Sequence, residues 1–143
     1  MQLQSILFMS CLLAGIVGCS SQQPSAEIAE SEGTFDAAMI AFESSDFQLA
    51  EEQLTAAIEA GGLNPDLVAE AYLLRAESRA KLGKFSEAMT DLNGMDQRAP
   101  DKARYHQIRG DVLLGQGDND AAKAAYAAAR KIDRTIELPD SLR

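Results

Sequence analysis

The stretch from Tyr72 to Pro100, YLLRAESRAKLGKFSEAMTDLNGMDQRAP, decides the fold. Apolar and small residues follow one another at helical spacing on both sides of Gly83. Glycine takes the left-handed conformation that stops a helix, and proline lacks the amide proton that a continuing helix needs. The stretch therefore predicts two helices, the first ending near Gly83 and the second at Pro100. Ala88 then allows close approach of the two helices.

The same pattern occurs again on both sides of this stretch. Downstream it recurs at a spacing of 34, in the pairs Arg75/Arg109, Ala76/Gly110, Gly83/Gly117 and Ala88/Ala122. Upstream, the segment from Asp46 to Ala50 mirrors the segment from Lys84 to Ala88 at a spacing of 38. The four extra residues fit in the loop from Gly61 to Pro65, since glycine, proline and asparagine favour turns. We therefore expect three copies of one helical hairpin.

The small residues, the glycine and the apolar positions of these copies resemble a tetratricopeptide repeat. The resemblance implies an all-α fold, in which about three helix-turn-helix repeats stack as a short right-handed solenoid. The domain is expected over residues 34–136, with repeats at about 32–62, 69–102 and 103–136. An unrelated antiparallel helical bundle is the alternative, and it is also all-α.

The residues after Arg134 are too few, and too early interrupted by Pro139, for a full capping helix. Residues 137–143 are therefore expected to be a C-terminal tail. Its apolar residues either fold back over the last repeat, or that face meets a second copy of the chain. The residues concerned are Ile132, Ile136, Leu138 and Leu142.

The sequence of residues 1–18 predicts an export signal. The apolar run from Leu3 to Gly18 is 16 residues long, whereas a membrane-spanning helix needs roughly 20. Its end, Ile16-Val17-Gly18-Cys19, resembles the lipobox of bacterial lipoproteins. The resemblance implies cleavage before Cys19 and a lipid on its sulfur, and Ser20 resembles the class that is sorted to the outer membrane, facing the periplasm. An ordinary secretory signal is the alternative, and the polar residues 19–33 are interpreted as a flexible tether.

Charge and composition argue against several function classes. The chain has 22 acidic and 13 basic residues, a net charge of −9, so it repels nucleic acid. The two cysteines, Cys11 and Cys19, both precede the predicted domain, which leaves none there for a disulfide or a thiolate metal site. The single histidine, His106, stands at a packing position of the repeat. With no phosphate-binding loop or catalytic motif in the sequence, we expect no enzyme activity, no metal and no cofactor besides the lipid on Cys19.

In tetratricopeptide proteins the first helix of each repeat lines a concave groove, and the register transfers that role to nine residues. Phe35 and Phe42 are equally well interpreted as core residues. The predicted groove residues are Phe35, Met39, Phe42, Leu73, Glu77, Lys81, Arg104, Gln107 and Asp111.

Two functions follow as hypotheses. The first is a membrane-anchored interaction module or assembly scaffold of the bacterial cell envelope, which binds a peptide or protein partner in this groove. The second is a subunit that forms homo-oligomers through its last repeat and has no separate peptide ligand.

Overall fold

The computed structural model describes residues 24–143, and within this range it contains helices and no strand. Six α-helices follow one another and are succeeded by a single 3-10 turn, Asp140–Leu142. Consecutive helices pack in pairs and the pairs stack, so the predicted all-α repeat fold is confirmed. The helices are α1 (Pro24–Glu43), α2 (Phe47–Ala60), α3 (Pro65–Lys81), α4 (Phe85–Leu92), α5 (Lys102–Gly115) and α6 (Asn119–Ile132).

The helix ends follow from local sequence. Gly83 and Gly117, at equivalent positions of the second and third pairs, have φ angles of 75° and 85°. Only glycine takes this left-handed conformation without strain, so both first helices stop here. Asp118 then caps α6 by accepting a hydrogen bond from the amide of Ala121.

The core lies between the stacked pairs rather than at one centre. One cluster joins the first pair to α3, and a second joins α3 and α4 to α5. Ala88 and Ala122 are fully buried, as their predicted role in close helix approach requires. The first cluster contains Phe35, Ala38, Leu54, Ala57, Leu63, Ala71 and Leu74, and the second is built on Leu73, Ala76, Ala88, Leu92, Tyr105, Ile108 and Val112.

The structure corrects the expected tether, because α1 begins at Pro24 and not near residue 34. Ser31 lies on this first part of α1 and is fully buried. Its hydroxyl oxygen accepts a hydrogen bond of 3.1 Å from the amide of Gly62. A side chain at Gly62 would collide with the carbonyl oxygen of Glu27, so the glycine permits this contact. The polar composition of residues 24–33 does not predict a helix, because the contact that supports this helix comes from the α2–α3 loop.

The second helix of the middle repeat is shorter than predicted. It ends at Leu92 and not at Pro100, because Asn93 is extended and Gly94 has a φ angle of 82°. The chain then turns, and Met95 and Ala99 still contribute to the core. An Asn-Gly pair is a strong turn signal, and here it outweighs the proline that follows.

The C-terminal tail folds back over the last repeat, which is the first of the two expected alternatives. Leu142 is 4% exposed and packs against Ala122 and Tyr126, with Ile136 and Leu138 beside it. Ile132, by contrast, is 57% exposed and takes no part in this cover.

None of the helices described between residues 24 and 143 is long and apolar enough to cross a membrane. The predicted signal peptide and Cys19 lie outside the described residues.

Candidate partner-binding surface

The first helices of the three pairs, α1, α3 and α5, share one polar surface that Arg104 joins together. Its guanidinium carbon lies 5.9 Å from the centre of the Phe42 ring on α1. On α3, Arg104 donates hydrogen bonds to Glu70 at 2.6 Å and to Glu77 at 2.8 Å. One side chain of α5 therefore contacts both other inner helices, and we call this surface the inner groove.

Opposite charges keep Arg104 ionised and fixed. Burial lowers the pKa of this guanidinium, but its bonds to Glu77 and Glu70 outweigh burial, and the net shift is upward. The two carboxylates hold three of its donors. Two of these donors, Nε and Nη2, share the Oε2 atom of Glu77, and Nη1 binds Glu70, so the guanidinium is held from two sides.

Asp111 marks the far end of the groove. Its carboxylate accepts a hydrogen bond from the hydroxyl of Tyr126, which lies on α6. The pKa of Asp111 is raised overall. Burial raises it most and the charge of Glu77 adds to this, whereas the hydrogen bond from Tyr126 and the charge of Lys81 lower it. Burial and the same carboxylate raise the pKa of Tyr126, so this phenol stays protonated. Burial therefore disfavours the charged form of Asp111, which lies beside a protonated phenol donor.

Three other predicted groove residues differ in accessibility. Met39 is 38% exposed on α1, three residues before Phe42 and therefore on the same side of the helix. Lys81 is exposed at the end of α3, and Gln107 is half-buried on α5 between Arg104 and Asp111. Together these residues give the groove an apolar end at α1 and a charged end at α5.

Two predicted groove residues belong to the core instead. Phe35 is 3% exposed, and Leu73 is fully buried. They occupy equivalent positions, at the spacing of 38, on the side of α1 and α3 that packs against neighbouring helices. A partner cannot reach them in this conformation. Phe42 is half-buried and stacks edge-on with Phe47 at 5.6 Å, so it serves both core and groove.

Glu70 is the groove residue that sequence reasoning missed. It precedes Arg104 by one repeat spacing of 34, which makes the two residues equivalent in consecutive repeats. Once Arg104 is placed in the groove, the repeat spacing alone assigns Glu70 to it. The opposite charges of Glu70 and Arg104 at equivalent positions are the sequence signal that could have identified Glu70.

A second ionic cluster, also missed, connects α2, α3 and α4. Arg75 and Arg79 stand where the repeat family prefers leucine and an aromatic residue, and both bind Asp91, at 2.7 and 2.8 Å. The carboxylate of Glu51 on α2 forms ion pairs with Arg79 at 3.0 Å and with Lys84 at 2.5 Å. Burial raises the pKa of Glu51, but the bonds from Lys84 and Arg79 outweigh it, and the pKa falls below 4.5. This cluster links the first two pairs.

The part of the chain that the structure describes has none of the side-chain groupings that metal sites need. No group of three or more histidine, cysteine, aspartate or glutamate side chains there could hold a metal ion. His106 stacks edge-on against Tyr105 at 5.1 Å, which is a packing contact. Neither feature adds chemistry to the groove.

Residues 21–137 match the family model described as a tetratricopeptide repeat-like domain. The chain belongs to this family. It is 33% identical over 103 residues to a protein named ancillary SecYEG translocon subunit, from Aggregatibacter actinomycetemcomitans. This match covers 71% of the chain and 49% of that relative. It is also 35% identical over 88 residues to the protein SGT1 homolog of Oryza sativa subsp. japonica, covering 62% of the chain and 23% of the relative.

The chain thus spans about half the length of the bacterial relative and about a quarter of the plant relative. The family model covers the repeat region of the chain, a fold of the kind that carries protein–protein interaction. The family and its relatives identify the chain as a non-enzymatic repeat module.

Proposed function

We propose that this chain is a membrane-anchored interaction module of the bacterial cell envelope, which holds a protein partner in its inner groove. The observation that carries the proposal is the Arg104 cluster. Its charges are already paired and directed before a partner arrives, which lowers the ordering cost of binding. An exposed apolar side chain, Met39, and the exposed charge of Lys81 lie beside it.

The groove chemistry indicates a partner segment with apolar anchors and some positive charge. Glu70, Glu77 and Asp111 contribute three negative charges to the groove, against two positive charges from Arg104 and Lys81. Apolar side chains of the partner would pack on Met39 and the Phe42 ring, since a few buried anchors supply most of the energy in such interfaces. The charged end would set the orientation and make binding sensitive to salt.

The name of the bacterial relative favours a place for the partner near the SecYEG translocon. We propose that the partner is the translocon or a protein beside it. This proposal favours the inner membrane over the outer membrane that Ser20 indicates. Separation of the two membranes on a density gradient, followed by immunoblotting for the chain, distinguishes them.

The test of the groove is a titration of purified SecYEG in nanodiscs with the full chain. Met39→Ala is expected to weaken binding at least about threefold, and Lys81→Glu, which adds negative charge to the groove, is expected to strengthen it, both without changing the melting temperature. Leu49→Ala is the matched control, because Leu49 is 41% exposed, like Met39, but lies on α2 outside the groove. Equal affinity of all four proteins would exclude the inner groove as the binding surface.

The anchor is proposed on Cys19 from the lipobox resemblance. Cells that express the chain are labelled with a palmitate analogue, and the label is expected on the wild type and not on Cys19→Ser. A labelled Cys19→Ser variant that still partitions with membranes would overturn the anchor.

The alternative, a homo-oligomeric subunit, depended on an uncovered last repeat. Leu142 covers that repeat, so the apolar face on which this alternative relied is not open.

A further inference from the structure

The inner helices α3 and α5 bury two faces, and α1 buries only one. On α3 the first buried face consists of Ala69, Leu73 and Ala76, and the second of Ala71, Leu74 and Ser78. The second face includes Ala71 and Leu74, which pack on the preceding pair α1 and α2. On α5 the corresponding second face is Tyr105, Ile108 and Val112, and it packs on α3 and α4.

On α1 the first face is buried in the same way, at Ser31, Phe35 and Ala38. The positions that correspond to the second face are exposed, because no pair precedes α1 in the part of the chain that the structure describes. Ile40 is 68% exposed, more than any other large apolar side chain among the described residues. No neighbouring atom lies within 4 Å of where a side chain on Gly33 would begin. We call this surface the open face; its residues are Gly33, Asp36, Ala37 and Ile40.

Charge distinguishes the open face from the rest of the molecule. Residues 24–60 contain nine acidic residues and no lysine or arginine. Five of the nine lie on α1, and none of these five forms an ion pair with another residue in the described range. They are Glu27, Glu30, Glu32, Asp36 and Glu43.

We propose that the open face docks a cationic amphipathic helix of a second protein. The fold itself shows the occupant's shape, because each equivalent face in the stack is covered by helices of the pair before it. The missing counter-charge on α1 sets the occupant's sign: lysine or arginine beside an apolar stripe. Ile40 is the apolar contact, and Asp36 and Glu43 lie within one turn of it and meet the cations.

A second copy of this chain fits the open face less well. Its own α1 would bring Asp36 and Glu43 against the same two carboxylates of the first copy, which repel. At the other end of the stack, the tail already covers α6 through Leu142. The open face borders the inner groove on α1, because Asp36 and Glu43 lie within one turn of Met39 as well as of Ile40.

The probe is a fluorescent designed helix of about five turns, with leucines along one side and lysines along the other. The full chain is held in nanodiscs of zwitterionic lipid, with empty nanodiscs as baseline, and binding is followed by anisotropy. We expect the lysine peptide to bind and a matched glutamate peptide not to bind. Ile40→Ser is expected to weaken binding about tenfold, since it removes the exposed apolar side chain that the peptide would bury. Asp36→Lys with Glu43→Lys is expected to abolish the dependence on salt.

Two substitutions serve as controls. Ile132→Ser changes a similarly exposed isoleucine at the opposite end of the stack, and Leu49→Ala changes an exposed leucine on α2; neither is expected to alter affinity. Circular dichroism verifies that Ile40→Ser, a surface change, keeps its helix content.

Three results would overturn the proposal. One is equal affinity of the wild type, Ile40→Ser and the double lysine variant. Another is loss of binding in Met39→Ala alone, which assigns the peptide to the inner groove. The third is a dimer of the full chain that Ile40→Ser dissociates, which makes a second copy the occupant.

Discussion

Asp91 neutralises two arginines where the repeat family prefers apolar residues. Its side chain is 3% exposed, between Arg75 and Arg79. Replacement by alanine leaves both guanidinium groups partly buried without this counter-charge, at a cost of about 3 kcal/mol. Urea unfolding of Asp91→Ala measures this loss, and Asp96→Ala, at an exposed position nearby, is expected to change little.

The double variant Arg75→Leu with Asp91→Leu separates charge from shape. Buried ion pairs that are replaced together by apolar residues often cost little, because both desolvation penalties disappear. We therefore expect the double variant to be more stable than Asp91→Ala. A double variant that is less stable would mean that the ion pair itself, and not the unpaired charge, governs the stability.

Helix packing within the last pair depends on one small side chain. Ala122 on α6 is fully buried against the tail cluster and Tyr126. Ala122→Leu adds atoms where there is no room, and we expect a loss of about 1–3 kcal/mol. Ala124 lies on the same helix but is exposed, so Ala124→Leu is the matched control in thermal melts. Equal melting temperatures of the two variants would contradict the repeat register.

The repeat spacing predicted the helix pairs well, and it failed where neighbouring pairs decide the structure. The glycine at 83 and the alanines at 88 and 122 behave as predicted, because their roles follow from local backbone conformation and volume. The prediction that Leu73 lines the groove is wrong, because a helix face is buried or open depending on which neighbouring helix packs on it. That arrangement lies in the tertiary structure and not in the spacing.

For the same reason, no local sequence pattern predicted that Arg75 on α3 forms an ion pair. A buried guanidinium needs a carboxylate that arrives from a different helix. Arg75 and Asp91 are separated by 16 positions of the sequence, and only the folded hairpin brings them together.

The stack as a whole is closed at its C-terminal end by apolar residues of the tail, of which Leu142 is the most buried. Leu142→Ala removes most of the contact that holds the 3-10 turn on α6, and we expect a loss of about 2 kcal/mol. Ile132→Ala, an exposed position of α6, is expected to stay within about 0.5 kcal/mol of the wild type. Calorimetry of both variants measures the difference, and an unchanged transition in Leu142→Ala would show that the tail is dispensable.

The bond between Tyr126 and Asp111 also gives the molecule an optical property. The chain has three tyrosines and no tryptophan, so its near-ultraviolet emission comes from phenol rings alone. A carboxylate that accepts the phenol's hydrogen bond quenches that ring, which leaves Tyr72 and Tyr105 as the brighter emitters. A ligand that draws Asp111 towards itself would release the quenching. The protein therefore contains an intrinsic fluorescent reporter at the charged end of its groove, with no label attached.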